Sequence, residues 1–299
     1  MIHEYAVSPQ LFGVPELLHL FRAGFDGESG RLVSEYPRRS WMQYARHYIE
    51  KHVSDGALQR AWKELLVHIE RHSFYSRQAA SWDGNVSWVD NAIVEHAARA
   101  FRAILSTAPF PGHPEVLQTD YSLHTAPAWL CPATITIAGR ANTSAAALVA
   151  AVAPLIAKST RLVLVDRNFV PSHARFINVL KEFARVVAGQ GHQPRIQTII
   201  YVTAYAKGPN DRETPNGFET ACRTFVGGTL PAGVSVKFIL KPWSLMHARF
   251  VIGNDACVSV DPGLDEGADL VVFQRHDPTS ARGIASSALG GAVRTFVIA

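Results

Sequence analysis

The chain has 299 residues, 47% of them apolar and 18% charged, with 29 basic against 25 acidic side chains and a formal charge of +4. That is enough apolar material for one large core or two ordinary ones, and it excludes a disordered chain. Three cysteines, Cys131, Cys222 and Cys257, occur without a Cys-x-x-Cys pair, which excludes a disulfide framework and a cysteine zinc site. The 13 histidines lack a His-Glu-x-x-His spacing, so no metal and no other cofactor is expected. The first residues carry no basic stretch leading into an apolar run, and no apolar stretch reaches spanning length. A cytoplasmic protein with no membrane partner is expected, and the mild basic excess leans towards an anionic one.

Taken in chain order, residues 15–21, 41–52, 57–72 and 88–107 place apolar side chains three and four apart, the spacing of helices with one buried face. In the third, Leu58, Trp62, Leu65, Leu66 and Ile69 form one stripe. Residues 1–130 are therefore expected as a mainly helical amino-terminal region. Within it the run Tyr36 to His47 interleaves aromatic and basic residues, and Arg38, Arg39 and Arg46 are its candidates for nucleic-acid phosphates. A helix with a solvated basic face is the plainer account of the same pattern. Residues 109–132 are rich in proline and poor in periodicity, which marks a boundary.

Residues 131–299 change to short β-branched runs separated by helices. Strands are expected at 161–166, 196–203, 234–240, 249–252, 256–260 and 270–273, with helices at 145–158, 172–188 and 214–226. This is an α/β domain with a mixed sheet flanked by helices, expected to be largely parallel with an antiparallel end.

The segment Leu245 to Asn254 carries the chemistry. If 247–252 are extended, the period of two sends His247, Arg249 and Val251 to one face and Ala248, Phe250 and Ile252 to the other. An imidazole can attack phosphorus and a guanidinium can neutralise its oxygens in a fork. The spacing alone says little, because about one His-x-Lys/Arg pair is expected by chance at this composition. A second copy, His173-Ala174-Arg175-Phe176, lies at a helix start and is read as coincidence. Gly253 and Asn254 between β-branched runs also suit a hairpin turn. Asp166 ends a buried strand and either lines a site at the strand edge or caps the next turn; Lys241, Trp243 and His276 are further candidates for that edge.

The segment resembles a divergent, single-motif member of the phospholipase D-like superfamily, whose His-x-Lys-x4-Asp motif stands here as His247, Arg249 and Asn254. The run His247 to Gly267, closing on Gly263-Leu264-Asp265-Glu266-Gly267, is similar to a bacterial subgroup often associated with defence loci, as are Val163 to Pro171, Glu4 to Pro9 and Trp88 to His96. The resemblance implies a metal-independent phosphodiesterase or nuclease that runs through a phosphohistidine and needs two histidines. Only one motif is present, so it also implies a homodimer or a place in a larger assembly. Arginine keeps the charge of the lysine, whereas asparagine removes the carboxylate that would orient the histidine. Asp265 and Glu266 are candidates to replace it by pairing with Arg249 or His247. A catalytically degenerate phosphate-binding or scaffold subunit is the alternative.

Overall fold

The structure is a computed structural model that describes residues 1–26, 29–77, 81–189, 196–206, 213–254 and 256–299. The chain divides into two compact α/β units, Ile2–Pro132 and Ala133–Ala299. Among the described residues no helix is long and apolar enough to cross a membrane.

The first unit runs β1 (His3–Val7), α1 (Leu17–Gly24), β2 (Arg31–Ser34), α2 (Trp41–His52), α3 (Gly56–His72), β3 (Phe74–Tyr75), α4 (Trp88–Ala98), β4 (Ala103–Ser106) and β5 (Val116–Gln118). Its strands form one parallel sheet in the order β3-β2-β1-β4-β5. The helices expected from periodicity are present, but they flank a sheet that periodicity did not announce. Tyr5, Val7, Val33 and Leu105 on one face pack with Phe21, Trp41, Trp62 and Ile69 of α1–α3. Ala6 and Ile104 on the other face pack with Ala92 of α4, Tyr36 and Phe101. Local chemistry sets the helix starts: the Asp55 carboxylate accepts from the N–H groups of Ala57 and Leu58, and Ser87 Oγ accepts from Asp90 N–H.

One helix expected in this half needs correction. The helix expected over 88–107 stops at Ala98, and residues 103–106 are instead strand β4, drawn into the sheet by pairing with β1. The boundary expected within 109–132 falls at its end, between Pro132 and Ala133, and the stretch itself belongs to the first unit, where it contains β5 and buries Val116, Leu123 and Trp129.

The second unit runs β6 (Thr134–Ala138), α5 (Ala145–Ala150), α6 (Ala153–Lys158), β7 (Leu162–Val165), α7 (Ala174–Ala188), β8 (Thr198–Ala204), α8 (Pro215–Val226), β9 (Ser235–Lys241), β10 (Phe250–Ile252), β11 (Cys257–Asp261), β12 (Leu270–His276), α9 (Pro278–Leu289) and β13 (Arg294–Ile298). The helix expected over 145–158 is broken at 151–152, where Pro154 cannot donate to the preceding turn. The sheet order is β13-β9-β8-β7-β10-β11-β12-β6. Among the described residues only β7, β8 and β9 are parallel, while every other pairing is antiparallel, so the sheet is not largely parallel.

One face carries Val163, Val165, Val202, Ile239 and Ile252 against Ala281, Ala285 and Ala288, the small side chains that let α9 lie close. On the other, Phe169 meets the rings of Tyr201 (4.6 Å), Phe238 (5.8 Å) and Phe176 of α7 (5.9 Å). Register places the ends of β7, β8 and β9, the start of β10 and the end of β11 at one edge of this sheet.

Candidate phosphate site at the strand edge of the second unit

Asp166 is the first residue beyond β7 and is fully buried. Its backbone N–H donates to Val202 O (3.0 Å), which continues the β7–β8 ladder by one residue. Its Oδ1 accepts from Asn168 N–H and its Oδ2 from Leu264 N–H, both at 2.8 Å. It therefore both caps the next turn and fastens the Gly263–Gly267 loop to the strand edge. Burial is the main reason its pKa rises to about 6, the two N–H donors oppose that rise, Asp265 adds to it and Arg249 lowers it. Asp265 is also raised by burial, against the lowering influence of Arg175 and Arg249. Its Oδ2 lies 3.4 Å from Arg175 Nη1.

Gly263 explains how two carboxyl groups come to share this corner. A Cβ there would stand 2.9 Å from Asp265 Oδ1 and 3.3 Å from Asp166 Oδ2, so any side chain would push on both. Gly263→Ala is expected to lower the unfolding free energy by about 1–3 kcal/mol, the usual cost of overpacking, measured from urea midpoints at an unchanged slope. An unchanged midpoint would mean that the loop does not need this approach.

Arg249 precedes β10, with its side chain 15% exposed and Nη1 3.6 Å from Asp261 Oδ1. Its Nε is buried without a hydrogen-bond partner among the described residues. Nearby, Arg167 donates to Met246 O (3.1 Å) and lies over the Trp243 ring (4.5 Å), which holds the entry to β10. His247 is exposed and has no hydrogen-bond partner among the described residues. It lines a cavity of about 230 Å³ with Val165, Val202, Lys241, Met246, Phe250 and Ala288.

The extended geometry expected over 247–252 begins only at Phe250, because Trp243–Leu245 form a 3-10 turn whose last bond runs from Met246 N–H to Trp243 O. His247 consequently rims the cavity on the α9 side, whereas Arg249 turns to Asp261 and acts on Asp166 and Asp265. The edge is shared, but strand alternation does not put both on one face.

Asn254 lies elsewhere. Its Oδ1 accepts from the N–H groups of Thr160 (3.3 Å) and Arg161 (3.1 Å), and its Nδ2 donates to Thr160 Oγ1 (2.8 Å). It thus ties the end of β10 to the start of β7, at the opposite end of β10 from His247; Asp255 lies outside the described residues. Glu266 is also engaged away from Arg249: Asn178 Nδ2 donates to its Oε1 and Ala145 N–H to its Oε2. His276 stands at the far end of β12, paired with Cys257 and edge-on to Phe250 at 5.9 Å. Arg175, set aside with the repeated tetrapeptide, does reach the site through Asp265. The echo was its only signal.

In the first unit Arg38 and Arg39 are exposed in the turn before α2, and the Arg39 N–H donates to Glu35 Oε1 (3.1 Å). Arg46 pairs with Glu70 at 3.5 Å on an exposed helix surface. Asn91 and His96 serve the backbone: Asn91 Nδ2 donates to Asp83 O (2.8 Å), and His96 Nδ1 accepts from Phe101 N–H (3.3 Å). Among the described residues Cys131, Cys222 and Cys257 form no disulfide.

No protein-family model matches this chain, and neither does any curated protein. Among solved structures it is similar to TrmBL2, an archaeal chromatin protein described as showing a novel mode of DNA binding, at 10% identity and a TM-score of 0.26. The match covers 51% of this chain and 49% of that one, about half the length of each. At that score the likeness carries no argument about function.

Proposed function

We propose that the second unit is a phospholipase D-like module that binds a phosphodiester of nucleic acid at this strand edge, with Arg249 neutralising the phosphate and His247 facing it. The observation that carries the reading is the gathering at one edge of two guanidinium groups, an exposed imidazole and a buried carboxyl whose pKa burial raises to about 6. Cleavage in this scheme forms a bond from a His247 ring nitrogen to phosphorus as the bond to the leaving oxygen breaks. A second histidine protonates that oxygen, and water then releases the phosphate from His247. A second copy of the chain, related by a two-fold axis, supplies the second histidine. In the first unit, exposed Arg38 and Arg39 are separate candidates for phosphate contacts. A place in bacterial defence belongs to the same proposal and rests on the resemblance of the 247–267 run.

Binding without cleavage is a second reading, favoured because Asn254 is turned to Thr160 and Arg161 and no carboxylate among the described residues contacts His247. The two separate in one set of measurements. Retention of DNA and RNA on filters is expected to fall steeply with salt, and Arg249→Ala is expected to lower the slope by about one. Arg249→Lys should retain more binding than Arg249→Ala, since the charge remains while the fork is lost. His247→Ala should bind nearly as wild type and abolish cleavage measured in chelator. No retention of any nucleic acid at low salt would overturn the proposal, and full cleavage by His247→Ala would remove the phosphohistidine.

A further inference from the structure

The cavity beside His247 holds a charge that the proposed phosphodiester chemistry does not use. Lys241, the last residue of β9, is 4% exposed. Its Nζ donates to Ser287 O in the last turn of α9 at 2.8 Å. Among the described residues it pairs with no carboxylate. Burial alone lowers its pKa, with no acidic neighbour to raise it. A carbonyl occupies one of three ammonium donors and supplies no countercharge. Buried cations are ordinarily paired, because an unpaired charge is costly to remove from water. Apart from His247 and Ser287, the walls around Lys241 are apolar, Val165, Val202, Met246, Phe250, Ile284 and Ala288 among them.

We infer that this cavity is a binding subsite for a small organic anion with an apolar or aromatic body, and that the ligand supplies the countercharge to Lys241. The volume of about 230 Å³ is below the roughly 300–1,000 Å³ of drug-sized sites, so it takes one compact group and not a chain. A nucleotide has the required parts, with its base against Phe250, Met246 and Val165 and its phosphate between Lys241 and the rim at His247. This choice of ligand rests on the nucleic-acid reading above and deepens it, since only a base outside a duplex stack is free to enter. An exclusively structural Lys241, clamping the end of α9 through Ser287 O, predicts no ligand.

The test uses the full chain and adenosine 5′-monophosphate, adenosine and inorganic phosphate as separate probes in calorimetric titrations. Adenosine monophosphate is expected to bind at least tenfold more tightly than either fragment. Lys241→Met, which keeps the unbranched stem against the same walls, should remove that advantage. Should Lys241→Met fail to fold, Ser287→Trp provides the second variant: Ser287 is exposed on α9 and lines the cavity, so bulk there closes the mouth while the backbone carbonyl remains. It should block the nucleotide at an unchanged melting temperature. Nucleotide binding that is equal in wild type and both variants, or no binding of the nucleotide, overturns the inference even when long nucleic acid is retained on filters. Lys241-dependent nucleotide binding with no retention of long nucleic acid sinks the nucleic-acid reading and leaves the anion pocket standing.

Discussion

Arg77→Met is expected to lower the unfolding free energy of the first unit by about 3–5 kcal/mol at neutral pH, the range for removing one partner of a buried ion pair. Arg77 is 1% exposed. Its Nε stands 2.6 Å from Glu95 Oε1 and its Nη1 2.6 Å from Glu4 Oε2, Nη2 donates to Arg99 O, and the guanidinium lies 4.0 Å from the Phe101 ring centroid. Ser34 Oγ adds a 2.5 Å bond to Glu4 Oε1. One side chain thus joins β1, α4 and the chain that follows α4. Methionine would fill much of the volume but leave Glu4 and Glu95 buried with the half-exposed Arg99 as their remaining cation.

The pH dependence gives this prediction a sign. Burial already raises the Glu4 pKa in spite of Arg77 and Ser34, so removing Arg77 raises it further. A carboxyl whose folded pKa lies above its unfolded value stabilises the fold at low pH and loses that contribution as pH rises through the folded value. The deficit of Arg77→Met relative to wild type should therefore be smaller at pH 5 than at pH 7.5 in urea unfolding. Arg77→Lys, which keeps charge without the fork, should fall between the two. A pH-independent deficit would assign the loss to packing over Phe101.

How much of this was legible in the sequence depended on what each element buries. The amphipathic helices were readable because one face meets water: α2 and α3 begin and end within a residue of where their periodicity placed them. Strands β1 to β5 were not, because they have two to five residues each and β4 is buried at every position, which erases the alternation that marks a half-exposed strand. Helix α9 packs through Ala281, Ala285 and Ala288, residues too small to make a hydrophobic stripe, and β6 and β13 are edge strands with several exposed positions. At the site, the strand-edge place of Asp166 followed from its position after an apolar run. The roles of Arg175 and Gly263 did not, because both act through contacts about 90 residues away in sequence for the first and through an absent Cβ for the second. Asn254 shows the limit of motif spacing: seven residues after His247, it lies beyond the other end of the short strand β10 that separates them.

Asp166→Asn is expected to be nearly as stable as wild type, or less so, at pH 4, and to gain relative to wild type by about 2–3 kcal/mol as pH rises to 7. A shift from 3.8 to about 6 corresponds to about two pK units, each worth about 1.4 kcal/mol. Because the folded value is raised, wild type has its full stability while Asp166 is protonated, below about pH 4, and loses it through about pH 6 as ionisation inside the fold becomes costly. Asparagine has no such titration. It offers one acceptor oxygen where Asp166 accepts from both Asn168 and Leu264, so it sacrifices one N–H bond of about 1 kcal/mol at every pH, an offset distinct from the slope. Asp265 is raised as well and titrates in both proteins, so most of its contribution cancels in the difference. Urea unfolding of both proteins at half-unit steps from pH 4 to 7 measures the difference directly. A flat difference would mean that Asp166 stays ionised in the fold, paired electrostatically with Arg249. The expected slope would instead establish a carboxyl that exchanges its proton near pH 6 at the strand edge it shares with Arg249.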